Sequence, residues 1–523
     1  MGGKKCASAK VCCPDGRNVI CFLSLLLMLC SPAIYRAAFY GTETPGTLLT
    51  VVLASAILAM LLTSFRNWWA FLLVSIPLMY LSGNETFVVV VYRHYMKAMN
   101  VLSMFITNAT ESGSFISNNL LAVVCDVPVL LLWVVALWAK WGSRPLSRKV
   151  FAASFILWLL FLILAKDTRV MGLPPYNLPV QYYNAHAIDQ QIQKAGNSPH
   201  PRVGCRQSVP RERETYVLFI GESVVYDHLS LAGYNRETTP LLEARDNLTL
   251  FTDYKTNATL TMLAAPMMMT DGTAEDFMRS YSGINSLQVF AECGFKTFVV
   301  VCLNHLDHDR FLTSAADSVF CVERDADIPA VVDSLTDIYP KTFFVVQALG
   351  NHCYFYNFEE EDNLFHPNPY YDKDVQSDSL YYNAYDCTLR FTDRIIDSVV
   401  NIIDKEGMYS VLLFASDHGE NVNPGDERRS VSMTPKESEY HVPFIVWRSQ
   451  AWIDANPGKE QCILSAKDKP TNTDNVFYTL CDMASIVLPD TIGKPEWTIS
   501  SPAYTPHRRT LLAPDGKTVI DLD

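Results

Sequence analysis

Beyond residue 214 of this 523-residue chain, three short apolar runs each stop abruptly at polar, ionisable residues. Residues 216–220 run into Gly221-Glu222-Ser223, residues 342–346 into Gly350-Asn351-His352, and residues 411–415 into Ser416-Asp417-His418-Gly419-Glu420. Glu, Asp and His are suitable zinc ligands, and a zinc that keeps one position open can activate a nucleophile. Taken singly the residues say little. A lone Glu after a strand is ordinarily a solvated loop residue or a helix cap, and a lone His a hydrogen-bonded loop residue. Asp-His-Gly-Glu directly after an apolar run is more specific for a metal, and the three run ends together point to one shared site.

Short continuous apolar runs of this kind read as buried parallel strands. Helical patterns lie between them, at residues 284–293 and 384–403. Alternating strands and helices imply an α/β sandwich with helices on both faces. In such folds ligands bind beyond the carboxyl ends of the strands. Glu222, His352, Asp417 and His418 are therefore expected in one crevice.

The N-terminal part is of a different kind. Residues 19–35, 47–65, 68–92 (interrupted at Gly83-Asn84-Glu85), 120–139 and 150–165 are apolar enough to cross a bilayer. Lys4, Lys5, Lys10 and Arg17 precede the first run, Arg66 separates the second and third, and Lys140, Arg144, Arg148 and Lys149 separate the fourth and fifth. These basic segments fall on one side, which is then cytoplasmic, and the odd number of spans puts the remainder of the chain outside. Between the third and fourth spans, residues 93–117 read as one or two amphipathic helices at the outer interface. The organisation expected is a transmembrane domain of five spans over residues 1–165, a connector over 166–214 with Pro174-Pro175 and a helical stretch at 189–194, and a catalytic domain over 215–523.

Composition narrows the functions. A net charge of −13 with no basic stripe argues against nucleic acid. Of fourteen cysteines, eight (Cys205, Cys293, Cys302, Cys321, Cys353, Cys387, Cys462 and Cys481) follow the spans. They read equally as disulfide partners in an oxidising compartment or as buried thiols.

At these residues the chain resembles the membrane-anchored phosphoethanolamine transferases that modify lipid A, within the alkaline phosphatase and sulfatase superfamily. The resemblance is carried by Ile220-Gly221-Glu222-Ser223 with Asp227-His228, by residues 233–240, by Tyr382-Asn383-Ala384-Tyr385-Asp386, by residues 416–420, and by His441-Val442-Pro443. It implies a five-helix membrane domain followed by an α/β/α domain of the alkaline phosphatase type. It further implies that Glu222, Thr261, Asp417 and His418 hold one principal zinc ion, with a second ion possible. Thr261, placed by its spacing to Pro266, would be the nucleophile, with Thr259 supporting it. His352 would contact the phosphoryl group, a second zinc or the leaving oxygen. The donor would be phosphatidylethanolamine, and the acceptor lipid A or lipopolysaccharide core. Family members also place Asn, Thr and Glu at four-residue spacing on the outer segment. Here Asn108 and Ser112 fit, Glu111 lies one position off that face, and Ile116 stands where the acid is expected.

Three departures mark the chain as divergent. Asn257 and Met267 replace the cysteines that flank the nucleophile in many members. Residues 426–430 lack a family histidine, for which His441 is the nearby substitute. Ile116 supplies no carboxylate. A phosphoglycerol transferase or phosphodiesterase with the same threonine-metal centre, and an inactive membrane sensor, are the rival readings. The intact Glu222, Thr261, Asp417 and His418 weigh against the sensor. The absence of a Cys-x-Pro-x-Arg segment weighs against a true sulfatase. The topology has a direct test: an alkaline phosphatase reporter fused after Asp167 is expected to be active, and one fused after Ser143 inactive.

Overall fold

The computed structural model describes residues 15–106, 112–113, 116, 119–166, 168–196, 202–302, 313–352, 357–368, 379–405, 407–422 and 433–523. The chain divides into two compact units, residues 1–187 and 188–523.

The first unit contains five helices long and apolar enough to cross a membrane: α1 (Gly16–Tyr40), α2 (Pro45–Ser64), α3 (Trp68–Tyr92), α4 (Leu120–Trp141) and α5 (Arg148–Ala165). Their starts carry the expected capping chemistry. Asp15, Thr44, Asn67 and Ser147 each accept a hydrogen bond from a first-turn backbone N–H. Cys21, Leu25, Met28, Leu58, Leu62, Phe71 and Val129 form the core between the helices. Small side chains such as Ala54, Ala59, Ser75 and Ala136 are buried there, letting backbones approach. Leu160, Ile163 and Leu164 of α5 instead face outward, as they should against lipid tails.

At Gly83-Asn84-Glu85 the apolar run is interrupted but the helix is not; α3 continues through to Tyr92. Asn84 Nδ2 donates back to the Tyr80 carbonyl at 2.9 Å. The buried Glu85 carboxyl accepts from Met96 N (2.9 Å) and Asn177 Nδ2 (2.8 Å). Internal partners thus meet Asn84 Nδ2 and one oxygen of Glu85. A short helix, Ala98–Ile106, follows and buries Ala98, Met99, Val101 and Leu102 while Met104 and Phe105 stay exposed. The connector helix is longer than its polar stretch indicated, running Asn177–Gly196 after the Pro174-Pro175 break.

The second unit is built on a seven-stranded sheet: β1 (Glu214–Gly221), β2 (Leu248–Phe251), β3 (Lys296–Cys302), β4 (Ser318–Val322), β5 (Lys341–Gln347), β6 (Tyr409–Ser416) and β7 (Phe444–Arg448), in the order β2-β7-β6-β1-β5-β3-β4. Five neighbouring strands are parallel, and β7 and β2 close one edge antiparallel. Every residue of β1 and β6 is buried, which explains why both are unbroken apolar runs.

Side-chain alternation assigns the two faces. Val217, Phe219, Phe344, Val346, Leu412 and Phe414 pack with α7 (Leu380–Ile403) and with helix Ile328–Ile338. On the opposite face Tyr216 and Phe343 meet Phe290 of helix Ser286–Glu292, with ring centroids 5.6 and 4.0 Å apart. The result is the three-layer α/β/α domain expected.

Gly221 closes β1 against the Phe414 ring, and a Cβ there would lie 2.5 Å from Phe414 Cζ. Phe414 is buried in the core and has nowhere to move. Gly221→Ala is therefore expected to destabilise the fold by about 1–3 kcal/mol, measured by chemical denaturation.

Candidate metal and nucleophile site

The register of the central strands builds the site. Gly221 of β1 is paired directly with Ser416 of β6. The next residue on each strand, Glu222 and Asp417, therefore leaves the sheet at the same level. Asp417 N donates to Gly221 O at 2.9 Å, and Asn351 N, beyond β5, donates to Glu222 O at 3.0 Å. All three strand ends are stitched together through main-chain atoms.

Glu222, Asp417 and His418 each direct one ligand atom into a common space, with those atoms all within 4.8 Å of one another. His418 Nε2 lies 3.5 Å from a carboxylate oxygen of each acid. His418 Nδ1 is 2.9 Å from the Gly419 carbonyl. That contact requires the proton on Nδ1 and leaves Nε2 with a free lone pair toward the acids.

Asp417 Oδ1 accepts from the backbone N–H groups of Ser223 (3.0 Å) and His418 (2.7 Å). Its Oδ2 is buried and has no hydrogen-bond partner among the described residues, with His418 Nε2 3.5 Å away. An unpaired carboxylate oxygen costs several kcal/mol in a protein interior unless a cation meets it. The donor set of two carboxylates and an imidazole is what a hard to borderline divalent ion takes. The residues fit a metal ion.

Electrostatics point the same way. Burial, reinforced by the neighbouring charge of Asp417, pushes the Glu222 carboxyl well above the usual carboxylate range. Burial opposes charge on His418, but the Asp417 and Glu222 carboxylates outweigh it and raise its pKa to about 9. Glu439, buried near His418, is pushed up to about 7 by desolvation. Two acids that disfavour each other's charge are relieved by a cation between them.

Thr261 is the first residue of α6 (Thr261–Met269). Its Oγ1 is 3.0 Å from Glu222 Oε2 and 3.3 Å from His418 Nε2. Leu260 before it is extended, so the chain passes from extended to helical between Thr259 and Thr261. The Thr259 hydroxyl is buried and has no hydrogen-bond partner among the described residues. Pro266 sits inside α6 and cannot donate to the Met262 carbonyl; Tyr281 Oη donates to that oxygen instead, at 3.1 Å. In place of the flanking cysteines, Asn257 bonds Asp474 Oδ1 (2.6 Å), Thr473 Oγ1 (3.1 Å) and Leu512 N (2.7 Å), and Met267 is fully buried.

His352 follows β5 and is half-buried, in the turn that begins at Gly350. Gly350 has φ of +49°, and a Cβ there would lie 3.1 Å from Glu222 Cβ, so a side chain would be strained and would crowd Glu222. His441 is placed otherwise: its ring stacks on Tyr226 at 4.3 Å and its Nε2 is 3.1 Å from the Thr252 carbonyl. It is not one of the three residues grouped for a metal among those described. On the outer segment Ser112 is half-buried and Ile116 exposed, while Asn108 and Glu111 lie outside the described residues, as do residues 426–430.

Several supporting residues stand within or beside the motifs quoted above, but the sequence assigned them no role. Ser223 has φ of +58°, a left-handed conformation that turns its N–H onto Asp417 and its hydroxyl onto Glu222 Oε1 at 2.8 Å. Tyr385 of α7 holds that turn, its Oη donating to Ser223 O (2.7 Å) and accepting from Val225 N (2.8 Å). Ser416 Oγ accepts from Val224 N, and Thr256 donates to the Asp417 carbonyl at 2.5 Å. One helix residue along from Tyr385, the buried Asp386 joins His228 Nδ1 (2.7 Å), Arg236 (2.7 Å) and Tyr234 (3.0 Å). The 228–236 motif is thus a buried clasp onto α7.

Fold and site together define a sulfatase-like, membrane-anchored protein with a metal-capable centre. The sulfatase family profile matches residues 214–289 and 327–486. Phosphoethanolamine transferase EptC of Escherichia coli is 22% identical over 446 residues, 76% of each chain. The Kdo(2)-lipid A phosphoethanolamine 7''-transferase of the same organism is 25% identical over 277 residues, 49% of this chain and 48% of its own. Among solved structures, the lipooligosaccharide phosphoethanolamine transferase A of Neisseria meningitidis superposes with a TM-score of 0.67 at 19% identity, covering 92% of this chain and 97% of that one. The zinc complex of the C-terminal periplasmic domain of EptC from E. coli gives 0.55 at 23%, over 62% and 96%. By these measures the chain is similar to the sulfatase-like phosphoethanolamine transferases.

The ligand set has a direct test. Asp417→Asn, which removes the charge of an otherwise unpaired buried oxygen, is expected to cut bound metal at least tenfold. His352→Ala should reduce it less. Metal content of the purified full chain, by elemental mass spectrometry, decides, and equal content in wild type and Asp417→Asn would remove the assignment.

Proposed function

We propose that the chain transfers phosphoethanolamine from phosphatidylethanolamine to an acceptor in a bacterial cell envelope, with Thr261 as the covalent carrier. The observation that carries this reading is the Thr261 hydroxyl, held 3.0 Å from Glu222 and 3.3 Å from His418 Nε2 at the start of α6. A hydroxyl there has the positive end of a helix behind it and the Glu222 carboxylate accepting its proton. Zinc, held by Glu222, Asp417, His418 and Thr261, would supply depression of the hydroxyl pKa and neutralisation of phosphoryl charge.

In the first half-reaction the Thr261 oxygen bonds to phosphorus, the bond to the glycerol oxygen breaks, and diacylglycerol leaves after taking a proton. Glu222, whose Oε2 accepts the Thr261 hydroxyl at 3.0 Å, is placed to take the threonine proton, and His352 to contact the phosphoryl oxygens or the leaving oxygen. In the second, an acceptor oxygen attacks the same phosphorus and Thr261 regains its proton. The relative that acts on Kdo(2)-lipid A supports lipid A or lipopolysaccharide core as acceptor. The basic residues at the inner ends of the spans support an inner-membrane location with residues 188–523 on the periplasmic side.

Thr261→Ala is expected to lower transfer at least a thousandfold, as loss of a covalent nucleophile does, while the other three ligands keep metal. Thr261→Ser should retain part of the activity, and Thr259→Ala should weaken it only modestly. Intact-mass analysis after incubation with phosphatidylethanolamine, followed by peptide mapping, is expected to place one phosphoethanolamine on Thr261. An adduct on Thr259, or full transfer by Thr261→Ala, would overturn the assignment.

A further inference from the structure

The segment that leads into the β1 strand is pinned at two points. Val203 N and Gly204 N donate to the two oxygens of the Glu292 carboxylate, at 2.6 and 3.0 Å. Just beyond, Arg206–Gln207 pairs antiparallel with Ile486–Val487, and Ser208 N donates to the Ser485 carbonyl at 2.8 Å. Cys205 lies between these two anchors. Cys293 sits at the end of helix Ser286–Glu292, one residue after the carboxylate that holds Val203 and Gly204. The two sulfurs are 3.8 Å apart, within hydrogen-bond reach of each other.

Main-chain hydrogen bonds on both sides of Cys205 and at the helix end fix this approach, so it does not depend on the thiols themselves. A disulfide needs about 2.05 Å between sulfurs, and side-chain rotation at the two half-buried residues supplies the difference. We propose that Cys205 and Cys293 form a disulfide that locks the entry segment to the catalytic domain, made by exchange with a disulfide-bearing thiol oxidant outside the membrane. The oxidising compartment rests on the periplasmic placement given above; the pairing itself rests on the geometry.

The sulfur contact with Cys205 lowers the pKa of the Cys293 thiol, which makes Cys293 the attacking group. Its thiolate attacks one sulfur of the oxidant and expels the other as a thiolate. Cys205 then gives up its proton, attacks the Cys293 sulfur of the mixed disulfide and releases the second oxidant thiol. One disulfide is consumed and one is made, so electrons balance. The bond spans 88 residues of chain and restricts the unfolded state accordingly.

The test uses the full chain, purified from membranes with free thiols blocked by N-ethylmaleimide at acid quench and then digested without reductant. A Cys205–Cys293 linked peptide is expected, about 2 Da lighter than the sum of its two thiol peptides because two hydrogens are lost. Reduction should lower the melting temperature of the wild type by about 5–10 °C and leave that of the C205S/C293S variant unchanged. Both cysteines recovered as maleimide adducts, in a chain whose reporter fusion after Asp167 is active, would overturn the pairing. If the reporter is inactive, the purified chain is exposed to oxidised glutathione. Formation of the same link then upholds the pairing and sinks only the periplasmic placement, and failure to form it overturns the pairing.

Discussion

Two carboxylates, Glu222 and Asp417, leave neighbouring strand ends almost without access to water, and one oxygen of Asp417 has no hydrogen-bond partner among the described residues. Placing two like charges side by side in a protein interior is costly unless positive charge compensates them. The surrounding loops can be understood as the means of meeting that demand. His418 turns its Nε2 lone pair inward by anchoring Nδ1 on Gly419. Ser223 adopts a left-handed turn that gives one carboxylate its N–H and the other its hydroxyl. Thr261 closes the remaining side with the N-terminus of α6.

The second tier keeps these groups from relaxing away from one another. Tyr385 braces the Ser223 turn from α7, and Asp386, its neighbour on the helix, clasps His228, Tyr234 and Arg236. Both belong to a helix whose apolar face packs on β1, β5 and β6. Any rotation of α7 would therefore move the site turn and the clasp together. Gly419 is another such constraint, since a Cβ there would lie 2.0 Å from the Ser438 carbonyl. The backbone of the Asp-His-Gly-Glu turn is pressed against a second loop and cannot swing outward.

How much of this the sequence disclosed depends on the range of the interactions. The three central strands were legible because strands buried on both faces are continuous apolar runs. The convergence of Glu222 and Asp417 followed from the rule for strand ends. Thr261 was not reachable that way: whether residues 259–261 form strand or helix decides which hydroxyl faces the acids, and the local pattern permits either. The spacing to Pro266 in related proteins selected it. The roles of Ser223, Thr256, Ser416 and Tyr385 were not legible because their partners lie 160 or more residues away or, for Ser223, depend on an unusual φ. The continuity of α3 through Glu85 was hidden for the same reason, since Asn177 is 92 residues distant.

The pairing of β1 with β6 also sets a timetable. Leu218 lies beside Leu413, 195 residues further along the chain (413 − 218). At synthesis rates of about 5–20 residues per second, the central strand waits on the order of ten to forty seconds for that neighbour. During this interval its eight residues, all buried in the finished sheet, are exposed with nothing to pair on one side. Pairings between distant segments are slow and leave such strands open to association. The metal ligands share this delay, because Asp417 and His418 follow β6 immediately. A chain cut short before residue 409 would carry Glu222 and Thr261 and still be unable to assemble the centre, so the last-made third of the catalytic domain decides when the protein becomes competent.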